Sequence, residues 1–122
     1  MKMNQMNLMK WKEKTIMNKV ELIGRLTKKP EINEYGKGKN KTKVARYTLA
    51  VDRVKSEETD FISCAVFGDG CDFVEKYLDK GMKIAVCGSI RTGSYENKEG
   101  DTIYTTNVVV TEHYFCEKKK DK

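Results

Sequence analysis

Histidine and proline each occur once in the 122 residues, at His113 and Pro30, and tryptophan only at Trp11. One histidine excludes most imidazole-based catalysis and histidine-rich metal sites. The four cysteines, Cys64, Cys71, Cys87 and Cys116, include no C-x-x-C pair, so a structural zinc site is not expected. No stretch approaches the roughly 20 apolar residues of a membrane span, and no secretory signal opens the chain. Reduced thiols and a cytoplasmic location follow as expectations. No Walker or dinucleotide fingerprint surrounds Gly36, Gly38, Gly93 or Gly100, which read as turn residues, and no cofactor is expected. One domain of ordinary polar composition remains, with 39% hydrophobic and 34% charged residues.

The net charge of +6 sits mostly at the ends. Residues 1–17 carry Lys2, Lys10, Lys12 and Lys14 against Glu13, and residues 117–122 carry four lysines against Glu117 and Asp121. Between them, residues 18–116 hold 16 basic and 15 acidic side chains. The signs are nonetheless segregated: Lys37, Lys39, Lys41, Lys43, Arg46, Arg53 and Lys55 face a single acid, Asp52, between Tyr35 and Lys55. Such clustering can track a polyanion on a near-neutral domain.

Residues 1–17 hold five of the six methionines and lack a helical or strand period, so they read as a frayed leader in which Trp11 has no role. Lys12-Glu13 can be encoded by a purine-rich ribosome-binding sequence upstream of Met17, so an alternative reading starts the protein at Met17 and makes residues 1–16 a translated upstream region. The domain is expected over 18–116, followed by a short basic tail at 117–122.

Hydrophobic periodicity predicts strands at Val20 to Leu26, Val44 to Val51, Thr59 to Phe67, Lys83 to Ile90 and Ile103 to Val110. Thr-Lys-Lys-Pro and a long polar loop separate the first two. Between the third and fourth strands the period changes. Phe73, Val74, Tyr77 and Leu78 fall at helical spacing within Asp69 to Lys80, with Gly81 just past the end. Five strands with one short helix between the third and fourth is the order of an all-β, five-stranded Greek-key barrel, the OB-fold.

On the second strand Ala45, Tyr47, Leu49 and Val51 share one face, and Arg46 and Thr48 the other. On the third, Phe61, Ser63, Ala65 and Phe67 oppose Ile62, Cys64 and Val66, so Cys64 is expected to be buried. Tyr47, Phe73 and Tyr77 are assigned to the core or the helix face, and His113, past the last strand, to solvent. The Lys37–Lys43 run suits either a solvated loop or a phosphate track, and the adjoining cationic strand favours the second. Arg46, Arg53, Lys55 and Arg91 are stronger candidates, since strand positions would hold them in place.

The segments Asn18-Lys19-Val20-Glu21-Leu22-Ile23-Gly24-Arg25-Leu26 with Pro30-Glu31, Tyr47-Thr48-Leu49-Ala50-Val51, Thr59-Asp60-Phe61 and Val66-Phe67-Gly68 follow a recognisable order. Tyr77-Leu78-Asp79-Lys80-Gly81, Gly88-Ser89-Ile90-Arg91-Thr92-Gly93-Ser94-Tyr95 and Tyr104-Thr105-Thr106-Asn107-Val108-Val109-Val110 continue it. Together they resemble the bacterial single-stranded DNA-binding proteins. The resemblance implies an OB-fold without enzymatic activity that binds and protects single strands in replication, recombination and repair. It also implies a homo-oligomer, usually a tetramer with a dimer as the alternative. A related primosome adaptor, bridging replication proteins, is a second reading of the same pattern. An RNA-directed, enzyme-associated module is a third, disfavoured by the lack of a catalytic constellation.

Sequence-independent binding needs the phosphate and the base π-face, which every nucleotide offers. By resemblance, Phe61 and Tyr95 stand where the family often has tryptophan, and Phe67 where it has phenylalanine. Phe61 and Tyr95 are read as stacking residues, while Phe67 suits either stacking or the core. A further aromatic common in the family is replaced by Arg53-Val54-Lys55. The expected DNA-binding set is Phe61, Phe67, Tyr95, Arg46, Arg53, Lys55, Arg91, Lys41 and Lys43. The resemblance also makes Cys87 an interface residue. It contrasts the basic residues 117–122 with the acidic tip by which cellular members dock partners, so no such docking is expected.

Overall fold

The computed structural model describes residues 15–117. The expected leader, apart from its last residues, and the tail beyond Glu117 lie outside the described residues.

Among the described residues six strands and one α-helix follow in the order β1 (Val20–Leu26), β2 (Glu31–Tyr35), β3 (Thr42–Asp52), β4 (Thr59–Phe67), α1 (Gly70–Tyr77), β5 (Lys83–Glu96) and β6 (Thr102–Phe115), with a single 3-10 turn at Gly38–Asn40. The sheet runs β1-β5-β6-β4-β3-β2, and β1 also pairs with β3 through Arg25↔Ala50 and Leu26↔Leu49. That last pairing closes β1, β5, β6, β4 and β3 into a ring, the five expected strands of the barrel. The sixth, β2, occupies the segment expected to be loop. It pairs along Thr42–Arg46, the same edge of β3 that β1 uses farther on, so β1 and β2 divide that edge between them. Only Ile32 of β2 is partly buried, which makes its alternation too weak to read. The helix consequently follows the fourth strand of the chain rather than the third.

Glycine permits the closure. A Cβ on Gly24 would stand 2.6 Å from the Ala50 carbonyl oxygen, where β1 crosses between β5 and β3. Gly88 sits at the β5 bulge, and a Cβ there would meet the Val109 oxygen at 2.0 Å. The β5–β6 hairpin extends well past the expected strand ends, pairing from Ile84↔Phe115 to Glu96↔Thr102 around the Asn97–Gly100 turn.

The core draws Leu26 from β1, Ala45, Tyr47 and Leu49 from β3, Cys64 and Val66 from β4, Ile84 and Val86 from β5, and Val108 and Val110 from β6. Val74 and Leu78 enter it from α1 and the residue after it. The Cys71 thiol donates to the Val66 carbonyl at 3.2 Å, tying the helix to β4. The helix stops earlier than Lys80, because Leu78 turns to extended backbone. That turn lets the Gly81 amide reach the Leu26 carbonyl at 2.8 Å and rejoin the barrel. Tyr77 stays exposed on the helix surface, its ring 5.2 Å from that of the half-buried Phe73.

His113 departs from expectation. It lies within β6, half-buried, with Nε2 2.8 Å from the Tyr47 hydroxyl and its ring 5.4 Å from Phe73. The longer hairpin carries it there, and a buried tyrosine hydroxyl finds its partner in it. Burial holds the His113 imidazole below the usual histidine range and raises the Tyr47 phenol.

Candidate nucleic-acid interface

Strand parity decides which side chains leave the barrel. The β3–β4 register pairs Thr48↔Ser63 and Ala50↔Phe61, placing these outward while Leu49↔Ile62 and Tyr47↔Cys64 face inward. Phe67 pairs with Val44 on the outward side. The outward row continues through Ala65↔Val109 into β6, and through Asn107↔Arg91, Thr105↔Gly93 and Ile103↔Tyr95 into β5. It continues in the other direction through Arg46↔Glu31 and Thr42↔Tyr35 into β2. Phe61, Phe67, Tyr95, Arg46 and Arg91 therefore occupy one face of a continuous sheet.

The aromatic members are exposed: Phe61 by 69%, Tyr95 by 57% and Phe67 by 44%. Rings left this far in water forgo a large part of the stabilisation that full burial would bring, and none belongs to the core cluster of this chain. Phe67 is thus not a core residue. The Arg91 guanidinium carbon lies 5.9 Å from the centre of its ring. Arg46 donates from Nη1 to the Tyr35 hydroxyl at 2.8 Å, its guanidinium 5.7 Å from that ring's centre. Among the described residues, neither Arg46 nor Arg91 forms an ion pair with a carboxylate.

The other cations sit differently. Arg53 lies just past β3 and Lys55 at the tip of the β3–β4 hairpin, in left-handed backbone (φ 61°), so strands do not hold them. Arg53 donates to Asp60 at 2.9 and 3.1 Å and also pairs with Glu58. These partners raise its pKa further and hold the Asp60 carboxyl below its usual range. In the free protein that guanidinium is already neutralised. Lys43 has the parity of Ala45 and Tyr47, opposite to Arg46, and its Nζ lies 3.4 Å from Asp72 of α1. Lys41 shares a shallow hollow with Glu34, Asp69 and Asp72. These acids beside both lysines blunt the phosphate track that the sequence suggests.

Sequence reasoning missed Tyr35. Its ring is 50% exposed on the same outward face. The available signal was the Glu31-Ile32-Asn33 alternation leading to it, masked by the surrounding Gly, Lys and Asn.

Cys64 is buried, and burial pushes its thiol up to about 12. No group of three or more His, Cys, Asp or Glu side chains that could hold a metal occurs among the described residues. No helix among them is long and apolar enough to cross a membrane.

A closed small barrel carrying exposed aromatics and arginines on one sheet face defines an oligonucleotide-binding OB-fold protein. Residues 17–116 match the Single-strand binding protein family, and the chain belongs to it. It is 52% identical over 102 residues to a "Single-stranded DNA-binding protein" of Clostridium perfringens, covering 83% of this chain and 67% of that one. It is 41% identical over 109 residues to "Single-stranded DNA-binding protein 1" of Staphylococcus aureus, covering 85% and 68%. Among solved structures, the "Plasmodium falciparum SSB complex with ssDNA" superposes with a TM-score of 0.73 at 26% identity, covering 86% of this chain and 99% of that one.

Proposed function

We propose that the protein binds single-stranded DNA without sequence preference and shields it during replication, recombination and repair, acting in the cytoplasm as a binder rather than an enzyme. The observation that carries this reading is the outward face on which Phe61, Phe67 and Tyr95 are exposed beside two arginines that form no ion pair with a carboxylate among the described residues. Rings offer stacking that every base can use, and Arg46 and Arg91 offer charge to the backbone between them. Lys55 at the hairpin tip extends the positive track, whereas Lys41 contributes less because Glu34, Asp69 and Asp72 share its hollow. Arg53 and Lys43 reach phosphate only by releasing Asp60, Glu58 or Asp72.

The same reading includes a homo-oligomer, a tetramer in preference to a dimer. The register aligns Ile23↔Ala85↔Tyr114 and Glu21↔Cys87↔Glu112 on a different outward patch, built from β1, β5 and β6. Ile23 and Tyr114 are exposed apolar groups there, which suits contact with a second copy, and Cys87 belongs to the same patch.

The test is titration of the full chain with oligo(dT) and, in competition, poly(U), with sedimentation to report stoichiometry. Tight binding of oligo(dT) that poly(U) displaces only in large excess is expected. Preference for poly(U), or no binding to oligo(dT), overturns the reading.

A further inference from the structure

Tyr35 and Tyr47 show two uses of one residue type. Both hydroxyls find a side-chain partner, His113 for Tyr47 and Arg46 for Tyr35. Tyr47 spends its ring in the core, whereas the Tyr35 ring remains half in water on an edge strand. Packing therefore does not account for its placement. Glu31 stands opposite Arg46 in the ladder, yet among the described residues forms no ion pair with it; the guanidinium extends instead to Tyr35. The result repeats the Arg91–Phe67 arrangement on the far side of β3: an exposed ring with an arginine beside it, at 5.7 Å against 5.9 Å. Val44 lies opposite Phe67 on one side and Asn33, two residues before Tyr35, on the other, so both units belong to one row of the face.

We propose that Tyr35 and Arg46 form a further nucleotide subsite, which carries a bound single strand beyond Phe67 and onto β2. A base stacks on the Tyr35 ring while the Arg46 guanidinium meets the adjoining phosphate, the hydroxyl–guanidinium bond keeping ring and cation side by side. The inference rests on the single-strand-binding reading above.

Two measurements on the full chain test it. In the first, the unsubstituted protein is photo-crosslinked to oligo(dT) carrying 5-iododeoxyuridine, and the attached residues are mapped by mass spectrometry. A crosslink at Tyr35 is expected in addition to those at Phe61, Phe67 or Tyr95. In the second, Tyr35→Ala and Tyr35→Phe are titrated with oligo(dT) of increasing length. Tyr35→Ala should bind long oligonucleotides about fivefold or more weakly and bind short ones like the parent, while Tyr35→Phe, which keeps the ring and loses only the bond to Arg46, should lose much less. The subsite is overturned by crosslinks at the other rings without one at Tyr35, or by Tyr35→Ala matching the parent at every length. Equal losses in Tyr35→Ala and Tyr35→Phe would make Tyr35 a tether for Arg46 and overturn stacking. Should Tyr35→Ala not fold, the crosslink in the parent still decides. Absence of all crosslinks and of binding defeats the single-strand-binding reading itself, a different outcome from a bound strand that skips Tyr35.

Discussion

The guanidinium of Arg91 stands 5.9 Å from the centre of the Phe67 ring, joining β5 to β4 over the face of β6 that separates them. Residues 24 positions apart in the chain thereby present one cation and one π-face together. Neither is enclosed, so both remain available to a strand lying along the sheet.

Phe61→Ala and Tyr95→Ala should each weaken oligo(dT) binding by roughly 1–3 kcal/mol. Both side chains are mostly in water, so their removal opens no cavity and thermal unfolding should barely move. Fluorescence anisotropy with a labelled oligonucleotide, beside a melting curve, checks both halves. A double variant with unchanged affinity removes the stacking assignment.

The arginines should separate by salt dependence. Replacing Arg46 or Arg91 by glutamine should reduce the slope of log affinity against log salt by about 0.7 for each phosphate that is no longer neutralised. Arg53→Gln should leave the slope nearly unchanged and mainly loosen the β3–β4 hairpin, because its charge is already shared with Asp60 and Glu58. A slope change for Arg53→Gln as large as for Arg91→Gln would show that DNA displaces those carboxylates.

His113 should make stability depend on pH. Burial lowers its folded-state pKa, so the unfolded chain binds the proton more readily. The contribution is complete above the unfolded histidine pKa of about 6.5 and is lost progressively as pH falls through the depressed folded value. Urea midpoints measured across that acid range should fall more steeply for the parent than for His113→Gln. Parallel profiles would dissociate His113 from the effect.

Gly88→Ala should destabilise the barrel by about 1–3 kcal/mol, because the new methyl meets the Val109 carbonyl and the bulge must shift to admit it. Urea denaturation measures this directly. Gly100→Ala adds a methyl with only the flexible Glu96 carboxylate nearby but in left-handed backbone, so its cost should come from strain alone.

Much of the site is legible in the order of residues. Alternation along Thr59–Phe67 puts Phe61 and Phe67 opposite Cys64 and Val66, since side chains of a strand must leave it on alternate sides. The same rule separates Arg46 from Ala45 and Tyr47, and the change of period after Phe67 marks the helix. Local pattern settles such matters because the backbone geometry is local. What it could not carry was decided by pairing between distant segments. The β2 strand exists because β3 offers it an open edge beside β1, not through any strong pattern of its own. His113 turns inward because fourteen-residue strands in β5 and β6 carry it beside Tyr47. Arg53 and Lys43 differ from Arg46 and Arg91 in what tertiary structure sets beside them, carboxylates in one case and aromatic rings in the other. A charge's availability depends on its neighbours in space, and a sequence specifies those only through the fold.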